Sequence, residues 1–355
     1  MSSTQTTGSP NSASDPPITL LSSLAATPHR ILDRYDALLV DLDGTVFRGG
    51  APVDGARDGL SGRASVYVTN NASRSPQQVA EHLTSLGVEV EAADVLTSAQ
   101  AACTLAASLL DSGEGAVQGT RPTAYVVGAG SFRGLATDAG FRVVDSADER
   151  PDVVLHGHSP ENNWAMLSEA ALAVRAGAVY VASNLDTTLP SERGLLIGNG
   201  SLVAAVVSAT GVTPHSAGKP GPAMFEVAAR HLGAERPLAV GDRLDTDIAG
   251  GIAAGMDTLC VLTGVSGHRE ILHTTWRPTW IAANLRDHLD GWTARQDGDT
   301  VIVESGATGD VDVMAAEALA VAAPLVWAAD DRGEDLTVDA ASGDSAATEA
   351  LAAWR

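Results

Sequence analysis

The stretch Ala37-Leu38-Leu39-Val40-Asp41-Leu42-Asp43-Gly44-Thr45-Val46 says more about the fold than any other part of the 355-residue chain. Four apolar residues in succession, without polar alternation, suit a strand buried on both faces, as in a parallel sheet covered by helices. The run ends in two carboxylates two positions apart, and Gly44 permits a tight turn beside them. Working outward, Val66-Tyr67-Val68, Tyr125-Val126-Val127, Val153-Val154-Leu155, Val179-Tyr180-Val181, Leu238-Ala239-Val240 and Thr258-Leu259-Cys260-Val261-Leu262 read as further strands separated by helix-length segments. One such helix is predicted from Ser75, an N-cap with Pro76 at the first turn, to Leu86 before Gly87.

In parallel sheets, chemistry sits just beyond the carboxyl ends of the strands. Three of the strand exits here carry polar clusters: Asp41-Leu42-Asp43-Gly44-Thr45, Thr69-Asn70-Asn71, and Gly241-Asp242 through Asp245-Thr246-Asp247. One carboxylate of a closely spaced pair can attack an electrophile while the other handles protons. Asp242 and Asp247 suit a hard divalent cation such as magnesium, which prefers oxygen ligands. Each cluster also has a plain structural reading. Asp43-Gly44 is an ordinary turn sequence, Asp242 and Asp247 are good helix caps, and Thr69-Asn70-Asn71 caps the next helix.

Composition narrows the choice. Lys and Arg number 22 against 44 Asp and Glu, a net charge of −22, which repels phosphate backbones and anionic lipid and argues against nucleic acid or a membrane as partner. Only one of the basic residues is lysine, Lys219, in the turn Gly218-Lys219-Pro220-Gly221. A solitary lysine in a loop is ordinarily solvated. In a chain that otherwise uses arginine, a compact ammonium reads as retained for a charge that a guanidinium fork would misplace. Two cysteines, Cys103 and Cys260, give no disulfide framework and fit a reducing cytoplasm.

Residues 1–17 have neither the basic start nor the apolar run of a secretory signal and are expected to form a disordered tail. No run approaches the ~18 uninterrupted apolar residues of a transmembrane helix. Residues 292–355 hold 13 acidic residues and 3 arginines, a net −10. Val301-Ile302-Val303 is predicted as a strand, Val313 to Val321 as a short helix and Leu325-Val326-Trp327 as another strand, so a small folded appendage is expected. It resembles a piece of an acetyltransferase-like fold without the acyl-CoA loop, and no acetyl transfer is expected.

Asp41-Leu42-Asp43-Gly44-Thr45-Val46, Thr69-Asn70-Asn71-Ala72-Ser73, Gly218-Lys219-Pro220 and Gly241-Asp242 to Asp247-Ile248 resemble, in order, the four motifs of the haloacid dehalogenase superfamily. The second and third motifs look like its capped branch of phosphoglycolate and glycerol-phosphate phosphatases. The likeness spans residues 35–287. It implies an α/β fold, with a Rossmann-like parallel-sheet core at residues 30–97 and 203–290, an inserted α/β cap at 98–202 and the small α/β appendage beyond. It implies a Mg2+-dependent phosphomonoesterase of a small phosphorylated metabolite, with glycerol 3-phosphate ahead of phosphoglycolate. Asp41 would be the nucleophile and Asp43 the acid and base. Gly44, Thr69, Asn70 and Asn71 would hold phosphoryl oxygens, and Lys219 would balance charge. Magnesium would take Asp41, Asp242 and the Asp43 carbonyl, supported by Asp247. Asn184 and Asp186 fall where cap loops face substrate; they also fit ordinary turns.

Two other readings compete. Gly128-Ala129-Gly130-Ser131-Phe132-Arg133-Gly134 follows a strand as a dinucleotide loop does, but its spacing is GxGxxxG and no acid is read at the right place at the end of a following strand. His156 and His158 have no third ligand nearby and are read as part of a cap turn. A phosphoacceptor signalling module would also cluster Asp, Thr and Lys, but would not set Lys219 149 positions after Asn70. A ligand-sensing pseudo-enzyme would not need every catalytic position filled. Self-association, through the cap or the appendage, is the remaining partner considered.

Overall fold

The computed structural model describes residues 31–112, 121–191 and 194–354; the expected tail at 1–17 lies outside them. The first sheet is built from β1 (Ala37–Val40), β2 (Ser65–Thr69) and, past helix α1 (Pro76–Ser85), β3 (Val95–Thr97). Helix α2 (Ser98–Asp111) leads into a second set: β4 (Thr123–Val127), α3 (Gly130–Asp138), β5 (Arg142–Val144), β6 (Val153–His156), α4 (Trp164–Arg175) and β7 (Val179–Ala182). A hairpin, β8 (Thr188–Ser191) and β9 (Gly194–Ile197), then α5 (Asn199–Thr210) and β10 (His215–Ser216), complete that set. The chain returns to the first sheet through α6 (Ala223–Leu232), β11 (Pro237–Gly241), β12 (Asp257–Val261), α7 (His268–Leu272) and β13 (Trp280–Ala282).

The first sheet has six strands in the order β13-β12-β11-β1-β2-β3, every pair parallel. From β1 the chain moves to β2 on one side and later to β11 on the other. The strand order therefore reverses at β1, and the carboxyl ends of β1, β2 and β11 flank the crevice where such sheets bind ligands. The second sheet, also all parallel, has the order β10-β7-β6-β4-β5 and runs on to Ser216.

Helix α2 joins the two layers. Its Ala99, Ala102, Cys103, Ala106 and Leu110 are buried in one apolar cluster with Leu39, Val66 and Val68 of the first sheet and Val126, Leu155 and Val181 of the second. Alanines on this helix let both sheets approach closely, and each valine or leucine buried there contributes about 1.5–3 kcal/mol. The start of α1 follows the sequence reading: Ser75 accepts from the Gln78 amide and the Gln78 side chain accepts from the Ser75 amide, with Pro76 leading the helix.

The carboxyl-terminal unit consists of β14 (Thr293–Asp297), β15 (Thr300–Glu304), α8 (Val311–Asp330), β16 (Thr337–Ala340) and α9 (Ser345–Ala352). β15 pairs antiparallel with β14 and parallel with β16. Leu325-Val326-Trp327 is not a strand: it lies in α8, which passes through Pro324. A short apolar run does not distinguish strand from helix by itself. Here Val326 and Trp327 continue the face that buries Leu319, Ala322 and Ala323, and that packing outweighs the hydrogen bond proline removes. Among the described residues α8 alone has the length and mean hydropathy of a membrane span, yet most of it is buried inside the fold.

Candidate active site

The carboxyl ends of β1, β2 and β11 converge as the strand exits suggested. Asp41 leaves β1 and Asp242 leaves β11, while Asp247 sits in the single π-helical turn Leu244–Ile248. Oxygens of these three carboxylates lie within 4.8 Å of one another. Lys219 enters the same space from the turn before α6, 3% exposed, and its Nζ donates to Asp41 Oδ1, to Asp247 Oδ1 (2.6 Å) and to the Val68 carbonyl (3.4 Å).

One ammonium does not neutralise three buried acids. Burial, then the nearby Asp247 charge, pushes the Asp41 carboxyl well above its ordinary range, against the pull of Lys219. The same two causes raise Asp242 to about 6. Burial alone would lower the Lys219 pKa; Asp247 and Asp41 outweigh it and hold the amine firmly charged. Asp242 Oδ1 is buried without a hydrogen-bond partner, although Oδ2 accepts from the Val265 amide at 2.6 Å. Surplus negative charge, clustered oxygen donors and an orphaned carboxylate oxygen fit a small hard cation. The Asp43 carboxylate is not one of the clustered groups. It is exposed at the mouth of the site, where partial desolvation still raises its pKa against the pull of Lys219.

Asp242 is gripped by two glycines. A β-carbon at Gly44, whose φ is +90°, would lie 2.5 Å from Asp242 Oδ2, and one at Gly264 would lie 1.8 Å from the same atom. The segment after β12 supplies further fastening: Ser266 N donates to the Asp242 carbonyl (3.1 Å), Leu244 N to Ser266 Oγ (3.1 Å), and Thr263 Oγ1 to the Gly44 carbonyl (2.5 Å). Residues 263–266 were not singled out from the sequence. Their work is done largely by backbone N–H groups and a missing side chain, which leave little compositional signal.

Asn70 ties the two sheets together. Its Nδ2 donates to Asp186 Oδ2 (3.1 Å) and to the Lys219 carbonyl (3.1 Å), its Oδ1 accepts from Lys219 N (2.9 Å), and its own carbonyl accepts from Asn184 Nδ2 (2.7 Å) and Ser98 Oγ (2.7 Å). The Asn70 and Asn184 side chains are thus occupied in joining layers. Asp186 is half-buried beside them, with its carboxyl raised by desolvation against the Asn70 hydrogen bond. Thr69 is buried, its hydroxyl accepting from Asn71 N at 3.1 Å. Asn71 is exposed and its Oδ1 accepts from Ser73 N and Oγ, so it shapes a turn. His156 hydrogen-bonds Tyr180 through Nδ1 and is pushed down to about 3 by burial, a neutral core imidazole. Gly130 starts helix α3, making the glycine-rich stretch a strand-to-helix turn; contrary to the sequence reading, an acid, Asp145, does follow the next strand, β5, where it pairs with Arg133 (2.5 Å).

A profile of the haloacid dehalogenase-like hydrolases matches residues 38–142, and a second, HAD-hydrolase-like profile matches residues 216–288. The D-glycerol 3-phosphate phosphatase of Mycobacterium tuberculosis is 42% identical over 91% of this chain and 95% of its own length. The chain belongs to the haloacid dehalogenase-like hydrolases. The acid sugar phosphatase of Staphylococcus aureus is 35% identical over 73% of this hydrolase and 98% of its own length. The crystal structure of the M. tuberculosis glycerol phosphate phosphatase in complex with magnesium superposes with a TM-score of 0.77 at 41% identity, covering 91% of this chain and 98% of that one.

Proposed function

We propose that this haloacid dehalogenase-like hydrolase is a cytoplasmic, magnesium-dependent phosphomonoesterase acting on glycerol 3-phosphate. The observation that carries the reading is the buried Lys219 ammonium shared by Asp41 and Asp247, with Asp242 alongside, at the crevice where the strand order reverses. The substrate follows from likeness to the mycobacterial phosphatase over nearly the whole chain.

Asp41 is the nucleophile. One of its oxygens attacks phosphorus in line, the bond to the ester oxygen breaks, and Asp43 gives its proton to the departing alkoxide. The raised pKa of Asp43 favours the protonated acid that this step needs. Asp43 then takes a proton from water as that water attacks the phosphorus of the aspartyl-phosphate, restoring Asp41 and releasing phosphate. Lys219, Thr69 and the main chain around Gly44 and Asn70 hold the phosphoryl oxygens. Asp41, Asp242 and the Asp43 carbonyl would hold magnesium, with Asp247 supporting. When bound, the ion supplies charge neutralisation to the transferring group, the main requirement of phosphoryl transfer. The second sheet serves as the cap, and Asp186 at its edge accepts hydrogen bonds from the hydroxyls of the leaving alcohol.

Phosphate release from glycerol 3-phosphate, phosphoglycolate, pyridoxal phosphate, AMP and a sugar phosphate, with magnesium and with EDTA, tests this. Magnesium-dependent release favouring glycerol 3-phosphate is expected. Equal rates across the panel would remove the substrate, and no release would remove the reaction.

A further inference from the structure

The carboxyl-terminal unit contributes none of the clustered acids, yet its packing leads directly to one of them. Its apolar core is continuous with the first sheet: Trp292, Val301, Leu319 and Val326 are buried in one cluster with Leu244 and Ile248, the residues that bound the turn carrying Asp247. Two tryptophans grip helix α7. Trp327 Nε1 donates to the Ile271 carbonyl at 3.1 Å. The Trp354 ring lies nearly parallel to that of His268 with centroids 6.3 Å apart, and Trp354 Nε1 is anchored on the Ala315 carbonyl of α8 at 3.1 Å. Helix α7 follows, after Gly267 alone, the 263–266 segment that holds Asp242 through Val265 N, Ser266 N and the bare face of Gly264.

We propose that the carboxyl-terminal unit is a brace for the metal site, in which Trp327 and Trp354 are positioning residues that seat α7 and so aim the Asp242 carboxylate. The inference rests on the reading of Asp242 as a magnesium ligand. It assigns the appendage a task in the reaction although none of its atoms reaches the reacting groups. The physical ground is a continuous path: the Trp327 and Trp354 contacts to α7, the peptide chain through Gly267, and the hydrogen bonds of Val265 N and Ser266 N to Asp242.

The test is calorimetric titration of full-length protein with Mg2+ alone, for the wild type, Asp242→Asn, Trp354→Ala, Trp354→Phe and Trp327→Phe, with circular dichroism and Tm recorded for each. Trp354→Ala should weaken Mg2+ binding about three- to ten-fold, less than the ~10–100-fold that follows loss of a group touching a metal ligand. Trp354→Phe, which keeps a ring over His268, should recover most of that loss. Trp327→Phe should show a smaller loss of the same kind. Activity of Trp354→Ala on glycerol 3-phosphate should return towards wild type at saturating Mg2+ with KM unchanged. A folded Trp354→Ala or Trp327→Phe with a lowered Tm and wild-type Mg2+ affinity would overturn the brace. Wild-type Mg2+ affinity in Asp242→Asn would overturn the metal reading, and the brace with it.

Discussion

The two parallel sheets are alike in architecture and opposite in the chemistry of their ends. At the first, strand exits deliver Asp41, Asp242 and Asp247 around Lys219, all buried and short of positive charge. At the second, the exits deliver a glycine-led helix start, a neutral His156, the amide of Asn184 and two acids held by their neighbours, Asp145 by Arg133 and Asp186 by the Asn70 amide. On the proposed reading the same topology supports a reactive edge and a recognising edge, and what differs is which side chains follow the last apolar residue. The two meet at Asn70, whose side chain touches Asp186 on one layer and the Lys219 turn on the other.

The comparison breaks first at Asp41. Asp41→Asn should cut phosphate release at least ~10³-fold, since a nucleophile has no substitute, while circular dichroism stays unchanged. Retention of more than a few per cent of activity would show that the reactive edge is elsewhere. Next, Lys219→Met should both slow turnover by about 10²–10³-fold and destabilise the fold by about 3–5 kcal/mol, because Asp41 and Asp247 are left buried without their partner. Denaturant unfolding checks the second figure; a fully stable variant would mean the acids share protons among themselves.

On the recognising edge the effects should be smaller and different in kind. Asp186→Ala should raise KM for glycerol 3-phosphate about ten-fold, the cost of one lost hydrogen bond to a charged group, and narrow the preference over phosphoglycolate, with kcat changed less. A pure kcat loss would place Asp186 with the reactive groups. Smallest of all, Gly130→Ala should leave turnover within about two-fold and Tm nearly constant, since a β-carbon there meets nothing within 4 Å. NADH or ATP should not shift the Tm of either protein; a shift would give the glycine-rich turn a ligand after all.

Much of this was readable from residue order. The continuous apolar runs marked the strands of both sheets, and the acids stood out because they follow those runs directly. β3 and β5 went unread because each has only two apolar residues in succession, Val95-Leu96 and Val143-Val144, too short a run to stand out. The hairpin β8–β9 went unread for another reason: Leu195, Leu196 and Ile197 are exposed in sequence, against any inside–outside pattern. Leu325-Val326-Trp327 was misread because a buried helix and a buried strand have the same short apolar signature. The contacts of Asn70 with residues 116 and 149 positions away belong to tertiary packing and have no local trace.

Helix α8 is apolar enough over twenty residues to resemble a membrane segment, and its burial depends on the sheet it covers. Synthesis settles that hazard by timing. The helix emerges from the ribosome after β1 to β13, so a finished surface bearing Leu244, Ile248 and Cys260 is waiting for it. A circular permutant that moved residues 292–354 ahead of residue 31 would make the same contacts in the end. It would first expose a greasy rod to chaperones, translocon and neighbouring chains, and its yield of soluble protein should fall even if the folded product were identical.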